Sequence, residues 1–217
     1  MARQRDARNN RRSEATRAKL ILAAEPIIAE HGLEKAPLRS ICEAAGQRNK
    51  ASIHYHFGDR AGLLQAILEY RSAMTEPARR QLLESVKEEG RAGDVKSLLR
   101  VLFGPDLAIC QQEGTANYLK LMSYWFIHLR PLGALHPADL GLPNLQSLQE
   151  ALHLLRQRLS FLSDERFRFR LDMCAMLVIS AFIGYDAGPA HLAPSLDALS
   201  EDAFEMAAAA ICAGEPS

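Results

Sequence analysis

The sequence predicts an all-α protein, long enough for one large or two small domains. Three observations carry the fold class. Apolar residues recur at three- and four-residue spacing along most of the 217 positions, no stretch alternates as a half-buried strand would, and Gly and Pro clusters punctuate the helical runs. A hydrophobic content of 48% is that of a well-buried globular chain. Formal net charge is zero, yet residues 1–60 hold 12 Lys+Arg against 7 Asp+Glu, and the remainder 14 against 19. The basic excess is therefore local.

Residues 1–12 carry five arginines and no apolar stretch. A flexible basic arm is expected over residues 1–13, either following a phosphate backbone or minor groove or simply solvated, and not a secretory leader. The first helix is expected from residue 13 or 14 to 31. Leu20, Ala24, Ile27, Ile28 and His31 face inward, Pro26 bends it and Gly32 closes it.

Residues 37–60 are the most informative stretch. Leu38, Ile41, Cys42 and Ala45 fall at i, i+3, i+4 and i+7, one apolar stripe on a short helix. Gly46 suits a helix stop and Asn49 the N-cap of the next helix. In that second helix Ile53 and Phe57 face inward and Lys50, Ser52, His54 and Tyr55 face outward. An apolar underside with a cationic, hydrogen-bonding top suits the DNA major groove. Asp59 then caps a longer helix that buries Leu63, Leu64, Ile67 and Leu68.

Residues 14–74 resemble the DNA-binding domain of TetR-family transcriptional regulators. The matching residues are Ala29-Glu30-His31-Gly32-Leu33, Leu38-Arg39, Ile41, Ala45-Gly46, Ile53, Tyr55-His56-Phe57-Gly58-Asp59-Arg60 and Leu63-Leu64. Two departures stand out: the turn Gly46-Gln47-Arg48-Asn49 is one residue longer than usual, and His54 occupies a position where an aromatic is common. The resemblance implies DNA contacts from Arg39, Lys50, Ala51, Ser52, His54, Tyr55 and Arg60. Arg60 would clamp a phosphate at the next helix's N-terminus. His54 and Tyr55 would share one base and one phosphate contact, in an order left open. It also implies a homodimer on a palindromic operator, with recognition helices about 34 Å apart.

Pro77 is read as a break or kink, and a second domain is expected over 75–217. Helices are expected at 82–89, at 95–103 behind an Asp94 cap, at 106–112 after a Gly104-Pro105 break, and at 115–129, 144–162, 164–185 and 197–213. Residues 131–143 hold three prolines and two glycines and read as a long loop. Gly188, Pro189 and Pro194 mark another.

Tyr118, Met122, Trp125 and Phe126 share one face of the 115–129 helix. Phe103, Cys110, Phe182 and Tyr185 are candidate opposite walls of a cavity for an apolar, aromatic or acyl effector. The cavity itself is implied by the resemblance, and plain core packing is the competing reading of each residue. His128 and His136 flank the Pro-rich loop, as surface histidines or as partners for a polar ligand end. Met176, Ile179 and Ile183 with Leu199, Ala203, Met206, Ala207 and Ala210 form two apolar stripes. The resemblance assigns these to a dimer interface.

No G-x-S-x-G, Walker loop, G-x-G-x-x-G or H-E-x-x-H occurs, so an enzyme is not expected. His54 and His56 diverge on a helix and do not suit a shared metal. No cofactor is expected. Cys42, Cys110, Cys174 and Cys212 stand apart and read as reduced, buried thiols of a cytoplasmic protein. The most apolar run, residues 173–182, is shorter than the about 20 residues a membrane span needs. The expected function is a ligand-responsive regulator, most simply a repressor. The rival is a helical carrier of apolar ligands without DNA binding, which would lack the steep salt dependence of a DNA reader.

Overall fold

A computed structural model describes residues 2–47, 49, 51–187 and 195–214. Among the described residues there are nine α-helices with short π and 3-10 turns, and no strand. The chain divides into two units, Met1–Tyr70 and Arg71–Ser217.

The first unit contains α1 (Ala2–His31), α2 (Leu38–Ala44), α3 (Ala51–Phe57) and the opening turns of α4 (Arg60–Glu88). Its core is Leu20, Ile21, Ala24 and Ile28 of α1, Ile41 and Cys42 of α2, Ile53 of α3, and Leu63, Leu64, Ile67 and Leu68 of α4. His31, expected inside, is exposed, and Ile21 takes an inward place instead. The helix also starts at Ala2 rather than near residue 13, so the segment expected as a flexible arm is helical. It contains no Gly or Pro, and its Ala, Arg and Gln residues favour helix.

The second unit contains the rest of α4, then α5 (Val95–Glu113), α6 (Asn117–Tyr124), α7 (Gln146–Arg158), α8 (Asp164–Ala187) and α9 (Leu196–Cys212). Helix α5 packs against α6, α7, α8 and α9, and α8 also packs against α6 and α9. The Asp94 carboxylate accepts the Ser97 N–H at 2.9 Å to start α5, and Gly114, at φ +64°, ends it. Lys96 bridges from α5 to Glu201 and Glu205 of α9 at 2.6 and 2.7 Å. Glu76 of α4 accepts the Ser147 N–H at 2.5 Å, placing an acid where the α7 dipole favours one. Arg170 donates to the carbonyls of Ile211 and Ala213 at 2.8 and 2.6 Å, closing α9.

Prolines interrupt less than their chemistry suggests. Pro26, Pro77 and Pro105 all lie inside continuous helices. Each removes a backbone donor at a cost of about 3 kcal/mol. Packing on both sides offsets it: Ala24 and Ile28, Arg79 and Leu83, and Leu102 and Leu107 are all buried beside the respective prolines. The expected break at Gly104-Pro105 is therefore absent. Conversely, the helix expected over 115–129 changes character. After α6, Trp125–Leu129 winds as π-helix and Arg130–Leu132 as 3-10 helix. A further 3-10 turn, Pro137–Leu140, orders part of the expected loop. The loop marked by Gly188, Pro189 and Pro194 lies outside the described residues. All four cysteines are free thiols, three of them buried and Cys212 half-buried.

Candidate functional site

The turn between α2 and α3 is built by the backbone. Gly46, at φ +70°, lets its own N–H reach the Glu43 carbonyl at 3.0 Å and the Gln47 N–H reach the Cys42 carbonyl at 2.7 Å. This pair is a Schellman ending. Asn49 Oδ1 then accepts the Ala51 N–H at 2.9 Å and caps α3. Ile53 anchors α3 from beneath, and Phe57 is half-buried under the Arg17 guanidinium at 5.3 Å. Burial, and then Arg17, hold the His56 pKa below its ordinary value.

The outward face of α3 carries Ala51, His54 and Tyr55, with Ser52 half-buried. Tyr55 is 81% exposed, unusual for so large a ring. His54 Nδ1 lies 2.7 Å from the Gly58 carbonyl. A carbonyl only accepts, so the neutral ring carries its proton on Nδ1 and leaves Nε2 as an acceptor. Arg39 on α2 is exposed and pairs with Glu43 at 2.8 Å. Lys50 lies outside the described residues, as does Arg48 of the turn.

Arg60 makes a structural contact that the sequence did not indicate. Its Nη1 donates to the carbonyls of Leu33 and Ala36 at 2.8 and 2.6 Å, and the residue is half-buried. It ties the α1–α2 connection to the start of α4, because those two carbonyls need a donor. Gly62 was not anticipated. A Cβ there would stand 2.0 Å from the Phe57 carbonyl oxygen. Nothing in the sequence flags it, since the close approach exists only once α3 and α4 are folded.

The second unit holds a partly open cavity of about 430 Å³. Phe103, Tyr118, Met122, Trp125 and Phe126 line it, as expected candidates. Cys110, Phe182 and Tyr185 are not on its lining: Cys110 and Phe182 are buried in the packing and Tyr185 is half-buried. The opposite walls come instead from α7 and α8, through Leu148, Leu152, Phe167, Leu171 and Val178. Charged residues were missed altogether. Arg79, Asp106, Arg130, Asp139, Arg156 and Asp172 also reach the lining.

These charges are largely paired. Arg79 reaches Asp106 at 3.2 Å and Glu76 at 3.5 Å, while its Nε has no partner among the described residues. Arg130 reaches Asp172 at 3.3 Å, bonds Asp139, and lies 5.2 Å over the Trp125 ring. Burial raises the Asp106 and Asp172 pKa values, against the opposing pull of the arginines. His136, also on the lining, meets the Trp125 edge at 5.6 Å. Its Nδ1 accepts the Ala138 N–H at 3.2 Å, and burial lowers its pKa to about 4. It is a neutral cavity residue rather than a surface histidine, whereas His128 is exposed.

The expected interface stripes divide in the same way. Ile179, Ala203 and Ala207 are buried within the single chain, so they belong to its own packing. Ile179 also lines the cavity. Met206 is 59% exposed and Ala210 exposed, while Met176, Ile183 and Leu199 are half-buried. Phe169 and Met173 of α8, not anticipated, are 65% and 57% exposed. They border a groove that Ala210 of α9 shares.

Two short helices joined at this turn, the second with an exposed polar and aromatic face, define a helix-turn-helix protein, a reader of DNA grooves. Residues 20–67 match the family model described as bacterial regulatory proteins, tetR family. This match makes the helix-turn-helix region a tetR-family DNA-binding domain and supports a DNA-binding transcriptional regulator. Members of the family are regulators and not enzymes. No curated protein matches the chain. Among the described residues no helix is long and apolar enough to cross a membrane, and no group of three His, Cys, Asp or Glu is placed to hold a metal ion.

Proposed function

We propose that the protein is a cytoplasmic repressor that binds a palindromic operator as a homodimer and is released by a small molecule held in the second unit. The observation that carries this reading is the pairing of a helix-turn-helix with an aromatic-lined cavity on one chain. On the DNA side, Tyr55 and His54 contact base edges or phosphates from α3, and Arg39 adds a contact from α2. A dimer supplies the second half-site that so short a reader needs. Its surface is the outer face of α8 and α9, where Phe169, Met173 and Met206 lie uncovered.

Helix α4 connects the two activities covalently. It begins at Arg60 in the first unit and carries Arg79, which lines the cavity. A ligand that favours one arrangement of α4 shifts the population away from the operator-binding state. DNase footprinting of the DNA flanking the protein's own gene, at two salt concentrations, tests the reading. The expected result is a palindromic, salt-sensitive footprint that is lost in a His54→Ala/Tyr55→Ala double variant. A footprint unchanged in that variant sinks the assignment of α3. Crosslinking the two DNA-binding units of a dimer at fixed spacing is expected to abolish ligand release, and continued release contradicts the population shift.

A further inference from the structure

We infer that the cavity takes an uncharged ligand, an apolar or aromatic body bearing one hydrogen-bond-accepting oxygen such as a ketone, ester or ether, received by the Nε2–H of His136. The inference rests on the effector reading of the same cavity and names the chemical class of the effector. It follows from an inventory of donors and charges.

Arg79, Arg130 and Asp139 all act electrostatically on the His136 ring, so these groups form one polar corner. Within it the strong donors are already engaged. All three guanidinium nitrogens of Arg130 bond Asp172 or Asp139. On the lining further along, Arg156 bonds Asp164 and the carbonyls of Leu159 and Leu162. Both terminal nitrogens of Arg79 bond Glu76, Asp106 or the Leu102 carbonyl. Arg168, the remaining arginine on the lining, is exposed.

In this corner the Nε2–H of His136 is, among the described residues, an uncommitted donor on the lining, and it bears the proton because Nδ1 accepts from Ala138. The Nε of Arg79 has no partner among them either, but it is sealed from water and so from a ligand oxygen. An N–H drawn out of water without an acceptor costs as much as a lost hydrogen bond, so a ligand oxygen at His136 gains more than it would at the surface.

Charge decides the rest. An anionic ligand would enter beside Asp106, Asp139 and Asp172, with the corner's arginines already paired and a histidine that stays neutral near pH 7. A cationic ligand would have to pull an arginine from its carboxylates or remain unpaired. Either leaves a buried charge uncompensated, which is strongly unfavourable. A neutral acceptor disturbs neither set of ion pairs. The apolar body meets Trp125, Phe126, Met122 and Phe167. The volume of about 430 Å³ falls in the range of small-molecule pockets.

Four probes of one shape separate the possibilities: benzophenone, 1,1-diphenylethylene, diphenylacetate and benzhydrylammonium. Calorimetric titration of the full chain at pH 7.5 measures each. Benzophenone is expected to bind about ten-fold tighter than the other three, the worth of one buried hydrogen bond. In His136→Phe its advantage over 1,1-diphenylethylene is expected to vanish, and in His136→Gln, which keeps a donor, to return in part. If either variant fails to fold, the ranking of the four probes on the native chain stands as the test. The inference is overturned if the anion or the cation binds as tightly as the ketone, or if His136→Phe keeps the ketone preference. Failure of all four probes to bind overturns both the ligand class and the effector reading. The expected ranking with no effect of benzophenone on the operator footprint upholds the ligand class and removes the effector role alone.

Discussion

At the scale of single residues, two side chains do something other than their position in the sequence suggests. Arg60 sits where a phosphate contact is expected, yet its guanidinium holds the Leu33 and Ala36 carbonyls. Arg60→Met is therefore expected to lower the unfolding midpoint, with a loss of about 1–3 kcal/mol for leaving buried carbonyls without a donor. The slope of log affinity against log salt is expected to stay unchanged, since that slope counts neutralised phosphates. A shallower slope with unchanged stability would restore the phosphate role. His136 carries the other surprise. Above pH 6.5 its imidazole is neutral in both folded and unfolded states. Between 6.5 and about 4 only the unfolded state takes up the proton, so stability falls as pH falls, and below about 4 the loss levels off. At about 1.36 kcal/mol per unit the upper bound is about 3 kcal/mol. Thermal unfolding from pH 7.5 to 4 is expected to fall more steeply for the native chain than for His136→Gln. Parallel curves contradict a ring held neutral by the fold.

At the scale of elements, the joint between α3 and α4 has no slack. Gly62 lets the first turn of α4 pass the end of α3, where an added Cβ would lie 2.0 Å from a backbone oxygen. Backbone cannot swing away as a side chain does, so Gly62→Ala is expected to cost about 1–3 kcal/mol and to weaken operator binding with it. Thermal unfolding with footprinting reads both effects, and a native-like melting curve would show that the joint relaxes. The α2–α3 turn was legible beforehand because its signals are local: Gly46 needs positive φ, and Asn49 caps two residues on. The Gly62 contact was not, because its cause is a neighbour brought close by the fold. Continuity of α4 and α5 through their prolines was hidden for the same reason. A local penalty was visible and the burial that offsets it was not.

At the scale of the whole molecule, the proposed dimer would use the outer faces of α8 and α9. Met173→Asp with Met206→Asp places two charges on surface that is uncovered in the single chain, so the monomer fold is expected to survive. Sedimentation is expected to report a monomer, and footprinting a loss of affinity of at least about ten-fold as the second half-site is lost. A variant that still sediments as a dimer would move the interface elsewhere. Ala203 and Ala207 make poor probes of assembly, because α8 and α9 already enclose them in one chain. Periodicity marks a stripe as apolar without saying whether the covering partner is the same chain or another.

The sequence alone determined the helical class, the helix-turn-helix and the outward set around His54 and Tyr55, since helix periodicity, caps and a matched motif act over a few residues. It also marked the aromatic wall of the cavity from Tyr118 to Phe126, which lies on one run of chain. Tertiary structure alone decided the polar corner of Arg79, Asp106, Arg130, Asp172 and His136. Arg79 and Asp106 are 27 residues apart, and Arg130 and Asp172 are 42 apart. No periodicity links such positions. They meet because packing α4, α5 and α8 around a common core carries their charges out of water, where each must find its partner or remain unpaired.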